Sequence, residues 1–130
     1  MATSPHERVP AATILIAEDD PLLSSLLEKA LRANGFATVV AADGEEAERL
    51  SLTGLFDLLI LDIGLPRRSG LEVLRRLRAR GEWLPVLVVT GQSDRADDAV
   101  IEAYADEFMS KPIGFKQLVS WVQALLDATA

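Results

Sequence analysis

Asp57-Leu58-Leu59-Ile60-Leu61-Asp62-Ile63-Gly64-Leu65-Pro66 is the stretch that decides the fold of this chain. Four aliphatic residues among the five from Asp57 to Leu61 predict a strand covered on both faces, as in a parallel sheet layered by helices. The run breaks at Asp62, Gly64 and Pro66. A carboxylate at that break stands at the carboxyl end of a strand, which in an open α/β sheet is the rim where ligands bind. Asp62 is therefore a candidate for chemistry; the alternative is that it merely caps the loop.

Upstream, Thr13–Ala17 reads as a buried strand that ends abruptly in Glu18-Asp19-Asp20. Pro21 suits the first turn of a helix with Asp20 as its cap. Leu23, Leu26, Leu27, Ala30 and Leu31 repeat at helical spacing until Asn34-Gly35 stops them. Phe36–Ala41 is a second strand, and Asp43 caps a shorter helix through about Leu52 with a solvated acidic face at Glu45, Glu46 and Glu48.

Downstream, Ser69 starts a helix that Gly81 ends, and Pro85–Val89 is a fourth strand closing at Thr90-Gly91. A helix is expected from near Ser93 or Asp94 to about Ala103, with Ala96, Val100 and Tyr104 on one face. Glu107–Ser110 is a short fifth strand before Lys111-Pro112. The last helix turns Phe115, Leu118, Val119, Val122, Leu125 and Leu126 inward. Five strands alternating with five helices predict right-handed βαβ units and one α/β sandwich.

The composition agrees with one globular domain. A chain of 130 residues buries roughly two-thirds of its unfolded surface, and 49% apolar with 25% charged residues argues against disorder. The net charge of −7 disfavours nucleic-acid binding. Arg75, Arg76, Arg78 and Arg80 form the one basic cluster, and their spacing among Leu71, Leu74 and Leu77 predicts a solvated helix face.

The absence of cysteine excludes disulfides and thiolate chemistry. Residues 1–10 lack a signal-peptide core and read as a flexible tail containing His6, the sole histidine, leaving residues 11–130 as the domain. No apolar run approaches the roughly 18 residues of a membrane span, so a cytoplasmic protein is expected.

With the strand ends on one rim, Glu18, Asp19, Asp62, Thr90 and Lys111 converge. Close carboxylates raise one another's pKa unless a cation neutralises them. A magnesium ion suits such a set, since it takes one or two carboxylates, several waters and a phosphate oxygen, whereas calcium wants more protein oxygens. An ammonium and a hydroxyl can then stabilise phosphoryl oxygens, and Asp62 becomes a nucleophile.

From about Ala12 to Ala128 the chain resembles the receiver domain of bacterial two-component response regulators. The ILIAEDD, LLILDIGLPRRSG, VLVVTG and FMSKP segments carry the likeness, in order, one per strand end. The resemblance implies a flavodoxin-like (βα)5 three-layer sandwich with strand order 2-1-3-4-5. It implies that Asp62 accepts a phosphoryl group from a phosphohistidine of a histidine kinase or phosphotransfer protein, in a signalling module that at most catalyses its own phosphorylation and dephosphorylation.

Asp19, Asp62 and the Gly64 carbonyl would bind magnesium, with Glu18 acting through a metal-bound water. Asp20 would remain a cap. Thr90 and Lys111 would contact the phosphoryl group, Phe108 would fill the switch-aromatic position, and Gly64 and Gln92 would flank the path of attacking water. The Lys111-Pro112 bond would be cis.

The resemblance is not complete. Phe108 replaces a frequent Tyr and so lacks a hydroxyl. Tyr104 stands where relatives usually have Gly, so the fourth helix is expected to end differently.

The output face implied by the family is the fourth helix, fifth strand and fifth helix, where a downstream protein rather than nucleic acid would dock. After Lys116 the chain has no Lys or Arg, and Trp121 is the candidate apolar anchor, with core packing of its ring as the alternative. Two other functions fit less well. A magnesium-dependent phosphatase or phosphotransferase would need a second carboxylate where Gly64 stands, and a flavin module would need a Ser/Thr-rich phosphate loop after the first strand. A stand-alone receiver is expected in preference to the receiver of a longer regulator.

Overall fold

The computed structural model describes residues 11–91 and 98–129. The tail at 1–10 with His6, and Gln92, Ser93, Asp94 and Ala96, lie outside the described residues. The strands are β1 (Thr13–Ala17), β2 (Ala37–Ala41), β3 (Leu58–Asp62), β4 (Val86–Thr90) and β5 (Glu107–Ser110). The helices are α1 (Pro21–Ala33), α2 (Gly44–Ser51), α3 (Gly70–Ala79), α4 (Asp98–Tyr104) and α5 (Phe115–Thr129). All strand pairs are parallel, in the order β2-β1-β3-β4-β5.

Strand alternation divides the core in two. Leu15, Leu59, Leu61, Val86 and Val88 face a layer that includes Ala47 of α2, Leu74 and Leu77 of α3 and Ile101 of α4. Their neighbours Ile14, Ile16, Leu58, Ile60, Leu87 and Val89 face Leu27 and Leu31 of α1 and Leu118 and Val122 of α5. Every residue of β3 is buried. Each of its leucines contributes about 1.5–3 kcal/mol by leaving water, which makes this strand the anchor of both layers.

Caps fix where α1, α2 and α3 start relative to the carboxyl rim. The Leu22 amide donates to Asp20 Oδ1 at 3.0 Å, the Glu46 amide to Asp43 Oδ1 at 2.8 Å, and the Glu72 amide to Ser69 Oγ at 3.2 Å. Each cap satisfies an amide that the first turn leaves without a partner. At the far end of α3, Gly81 takes φ 76°, and the Glu82 amide donates back to the Leu77 carbonyl at 2.9 Å.

Several sequence expectations need correction. Strand β3 runs one residue later than expected, so Asp62 is inside it and Asp57 is outside; the exposed Asp57 carboxylate instead accepts from the Thr13 amide at 2.8 Å. Likewise β2 starts at Ala37 rather than Phe36 and β4 at Val86 rather than Pro85. Leu26 is 42% exposed because its face of α1 points away from the sheet, together with Leu22 at 69%.

Two charged residues expected in solvent are buried. Glu48 turns into the α2–α3 contact, where Arg68 and Arg76 meet it, and Arg78 turns under the carboxyl ends of α3 and α4. In both cases a partner distant in sequence makes burial of the charge tolerable.

Candidate functional site

The sheet order brings four strand ends side by side. Asp62 on β3 is in register with Val89, and the Ile63 amide donates to the Val89 carbonyl at 3.1 Å. Thr90 pairs with Ser110, and the Lys111 amide donates to the Thr90 carbonyl at 2.8 Å. On the other flank, the Glu18 amide donates to the Ala41 carbonyl at 3.0 Å, just beyond β1.

Carboxylate oxygens of Glu18, Asp19 and Asp62 all lie within 4.8 Å of one another. Glu18 and Asp62 are buried, while Asp19 is exposed and opens the group to solvent. Lys111 Nζ stands 3.3 Å from Asp62 Oδ2 and 3.5 Å from Glu18 Oε1. The other Asp62 oxygen, Oδ1, accepts from the Gly64 amide at 3.1 Å. Asp62 thus caps the loop through one oxygen and faces the lysine with the other.

The electrostatics are those of a site short of positive charge. Burial pushes the Glu18 carboxyl up to about 7, and the nearby Asp62 charge adds to the rise, against the Asp20 amide and Lys111. Burial also works against the Lys111 ammonium, yet Asp62 and Glu18 more than offset it and hold its pKa above the ordinary value. One ammonium shared by two buried acids, with a third acid alongside, leaves room for a further cation. An all-oxygen set with one face open to water fits magnesium.

The remaining sequence candidates are distributed around this group. Thr90 is buried at the end of β4, beside the strand that carries Asp62. Asp20 is a cap, as expected, and its amide donates to Glu18 Oε2 at 3.1 Å. Gly64 is exposed, and a Cβ there would meet only Asp62 Oδ1, at 3.9 Å. The Lys111-Pro112 peptide is cis. Phe108 lies on β5 with its side chain turned outward, 44% exposed.

A family model for the response regulator receiver domain matches residues 14–123. The chain belongs to the response regulator receiver family. This receiver is 44% identical over 117 residues to the response regulator protein PmrA of Pseudomonas aeruginosa, covering 89% of this chain and 53% of PmrA. It spans about half the length of the curated relatives it matches.

Among solved structures, the receiver domain of the Francisella response regulator 1452 superposes with a TM-score of 0.85 at 27% identity, covering 92% of this chain and 99% of that one. The response regulator protein TrrA of Thermotoga maritima, in complex with Mg(2+)-BeF, gives a TM-score of 0.79 at 34% identity, covering 88% of this receiver and 98% of TrrA. The flavodoxin-like order expected from the resemblance is the order found.

Tyr104, expected to make the fourth helix end differently, stays helical, and among the described non-glycine residues only Arg67 has a positive φ. The Tyr104 carbonyl instead accepts from Arg78 Nε at 2.9 Å. An arginine side chain thus does what a glycine turn does elsewhere, satisfying a carbonyl at the helix end. Arg78 was invisible as a structural residue in the sequence; its position between Leu74 and Leu77 on one side and Gly81 on the other is the only local hint.

Proposed function

We propose that this receiver is a phosphorylation-switched signalling module of a two-component phosphorelay, with Asp62 as the phosphoacceptor. The observation that carries the reading is the convergence of Glu18, Asp19 and Asp62 within 4.8 Å, with Lys111 Nζ 3.3 Å from Asp62. An Asp62 oxygen attacks the phosphorus of a phosphohistidine on a partner kinase or phosphotransfer protein, and the imidazole leaves with the bonding electrons. Lys111 and Thr90 then contact the phosphoryl oxygens, the ammonium opposing their charge.

Magnesium, when bound, would neutralise the crowded carboxylates and oppose the charge of the transferring phosphoryl group. Asp19, Asp62 and the Gly64 carbonyl would hold it, with Glu18 reaching it through a water. The donor chemistry of the rim supports this, as does the complex of the similar TrrA with Mg(2+)-BeF. In this reading the domain catalyses no reaction beyond its own phosphorylation and dephosphorylation, and it works in the cytoplasm. No helix among the described residues is long and apolar enough to cross a membrane.

Response regulators interact with histidine kinases and with downstream effectors. For this chain the output surface is assigned to the face of α4, β5 and α5. Tyr104 and Phe108 are exposed there, and Trp121, half-buried against the core, lines a shallow hollow of ≈ 330 Å³ with Gln117, Ser120 and Ala124. With Phe108 in place of a tyrosine, switching rests on packing of the ring and not on a hydroxyl bond. A protein partner, not nucleic acid, fits this apolar face.

Incubation with a small phosphodonor and magnesium, followed by intact-mass measurement, tests the proposal. One added phosphoryl group on the wild type, absent from Asp62→Asn, is expected. An unmodified wild type overturns it. Sedimentation of the phosphorylated wild type and of Trp121→Ala tests the output face: a phosphorylation-dependent homodimer indifferent to the substitution argues against the apolar contact.

A further inference from the structure

Glu48 is a buried carboxylate that the phosphoryl chemistry does not use. It sits on α2 with its side chain 7% exposed, and Glu48 Oε1 lies 2.6 Å from Arg76 Nε and 3.4 Å from Arg68 Nη1. Arg76 belongs to α3. Arg68 belongs to the loop that follows the phosphoacceptor, so Glu48 joins that loop to the helical layer behind it.

The loop is closed at its base and held at its tip. At the base, the Gly70 amide donates to the Ile63 carbonyl at 2.9 Å, and Gly70 packs so tightly on the Asp62 carbonyl that no side chain fits there. At the tip, the Gly44 amide of α2 donates to the Pro66 carbonyl at 3.1 Å, and the Arg68 carbonyl rests on the Gly44 Cα. Arg67, between them, takes φ 69°, a left-handed conformation that a non-glycine residue holds only where its surroundings enforce it. Between base and tip lies Gly64, whose amide bonds Asp62 Oδ1 at 3.1 Å.

We propose that Glu48 is a positioning residue for the Asp62 site, acting through Arg68 to hold the loop in the arrangement that aims the Gly64 amide at the acceptor carboxylate. This rests on the phosphoacceptor reading of Asp62 and adds to it a control point on α2. The route is short: Glu48 to Arg68 by an ion pair, Arg68 to Gly64 through the three residues between them in a loop pinned at both ends, and Gly64 to Asp62 by a hydrogen bond. With both bonds fixed, the Asp62 carboxylate is oriented before any ligand arrives, which is how an outer group tunes a metal or reaction site.

Glu48→Gln strips the counter-charge from two arginines and endangers the fold, so Arg68→Gln is the decisive variant: it cuts the link to the loop and leaves Glu48 paired with Arg76. Val122→Ala, a core truncation on the opposite face of the sheet, serves as the stability control. Three quantities are read well below the melting temperature: hydrogen exchange of the Gly64 amide in metal-free protein, the magnesium dissociation constant, and the rate of labelling by a small phosphodonor.

In Arg68→Gln the Gly64 amide is expected to lose protection, labelling to slow, and magnesium to bind about tenfold more weakly, the lower end of what loss of an outer-shell partner costs a metal site. Val122→Ala is expected to melt earlier and change none of the three. Wild-type exchange and magnesium affinity in Arg68→Gln, or equal changes in the control, overturn the proposal. A wild type that takes no phosphoryl group overturns the functional reading instead, and the Gly64 exchange still decides whether Arg68 governs the loop.

Discussion

Lys111 Nζ stands 3.3 Å from Asp62 Oδ2, bridging the ends of β5 and β3 across the intervening β4. In the proposed chemistry the ammonium therefore already stands beside the acceptor carboxylate. Asp62→Asn keeps the shape of the side chain, removes its nucleophilicity and relieves one charge in a crowded carboxylate group. This variant is expected to fold, to melt no earlier than the wild type, and to take no phosphoryl group by intact mass. Undiminished labelling would refute the assignment of Asp62.

Magnesium is expected to stabilise the protein, because a ligand that binds only the native state does so by mass action, about 1.4 kcal/mol at ten times its dissociation constant. Asp19→Asn removes the solvent-exposed member of the carboxylate group and should abolish most of the effect. Melting temperatures of both proteins, with and without the ion, provide the check; equal shifts would place magnesium elsewhere.

The pH dependence of the metal-free protein should carry the mark of Glu18. Its carboxyl rises from an ordinary 4.5 to about 7 on folding, chiefly by burial, so the native state holds this proton more tightly than the unfolded chain. Its contribution to stability is full below about 4.5 and is lost as the pH climbs through 7. Saturating magnesium favours the ionised form and should flatten this segment of the curve. Urea titrations across that window, compared with Glu18→Gln, test it; an unchanged slope in the variant would exclude Glu18 as the source.

Arg78→Ala should be among the most damaging single changes outside the core aliphatics. The guanidinium bonds the Tyr104, Glu82 and Leu84 carbonyls and the Asp106 carboxylate, and stacks over Trp83 at 4.9 Å from the ring centre. Truncation takes the guanidinium from the three carbonyls, while Asp106 Oδ2 keeps the Val86 amide at 2.8 Å, at a cost of about 3 kcal/mol. Arg78→Lys should recover only part of this, since an ammonium cannot span the same fork of acceptors. Denaturant midpoints measure both; a lysine variant as stable as the wild type would contradict the account.

Gly64 offers no side chain to shield the acceptor, and a Cβ there meets nothing closer than Asp62 Oδ1 at 3.9 Å. Gly64→Leu should therefore fold and should lengthen the lifetime of the aspartyl phosphate by obstructing water. Decay of the phosphorylated species by mass spectrometry gives the answer, and an unchanged or shortened lifetime would count against the steric argument.

The sequence by itself determined the strands, most helix caps and the residues of the rim. These are local properties: an aliphatic run such as Leu58–Leu61 must leave water, a side chain such as Asp43 or Ser69 must satisfy the amides of the turn it precedes, and a strand's carboxyl end carries the next few residues with it. Tertiary structure alone decided which charges are buried and how the rim is held. Glu48 meets Arg76 from 28 residues away and Arg78 meets Asp106 from the same separation, so helical spacing placed Glu48, Arg76 and Arg78 in solvent when packing buries Glu48 and Arg78. The strand ends could be named from the sequence, but the distances among Glu18, Asp62 and Lys111 follow from strand order and register, which arise only when the hydrophobic faces of separate βα units close on one another.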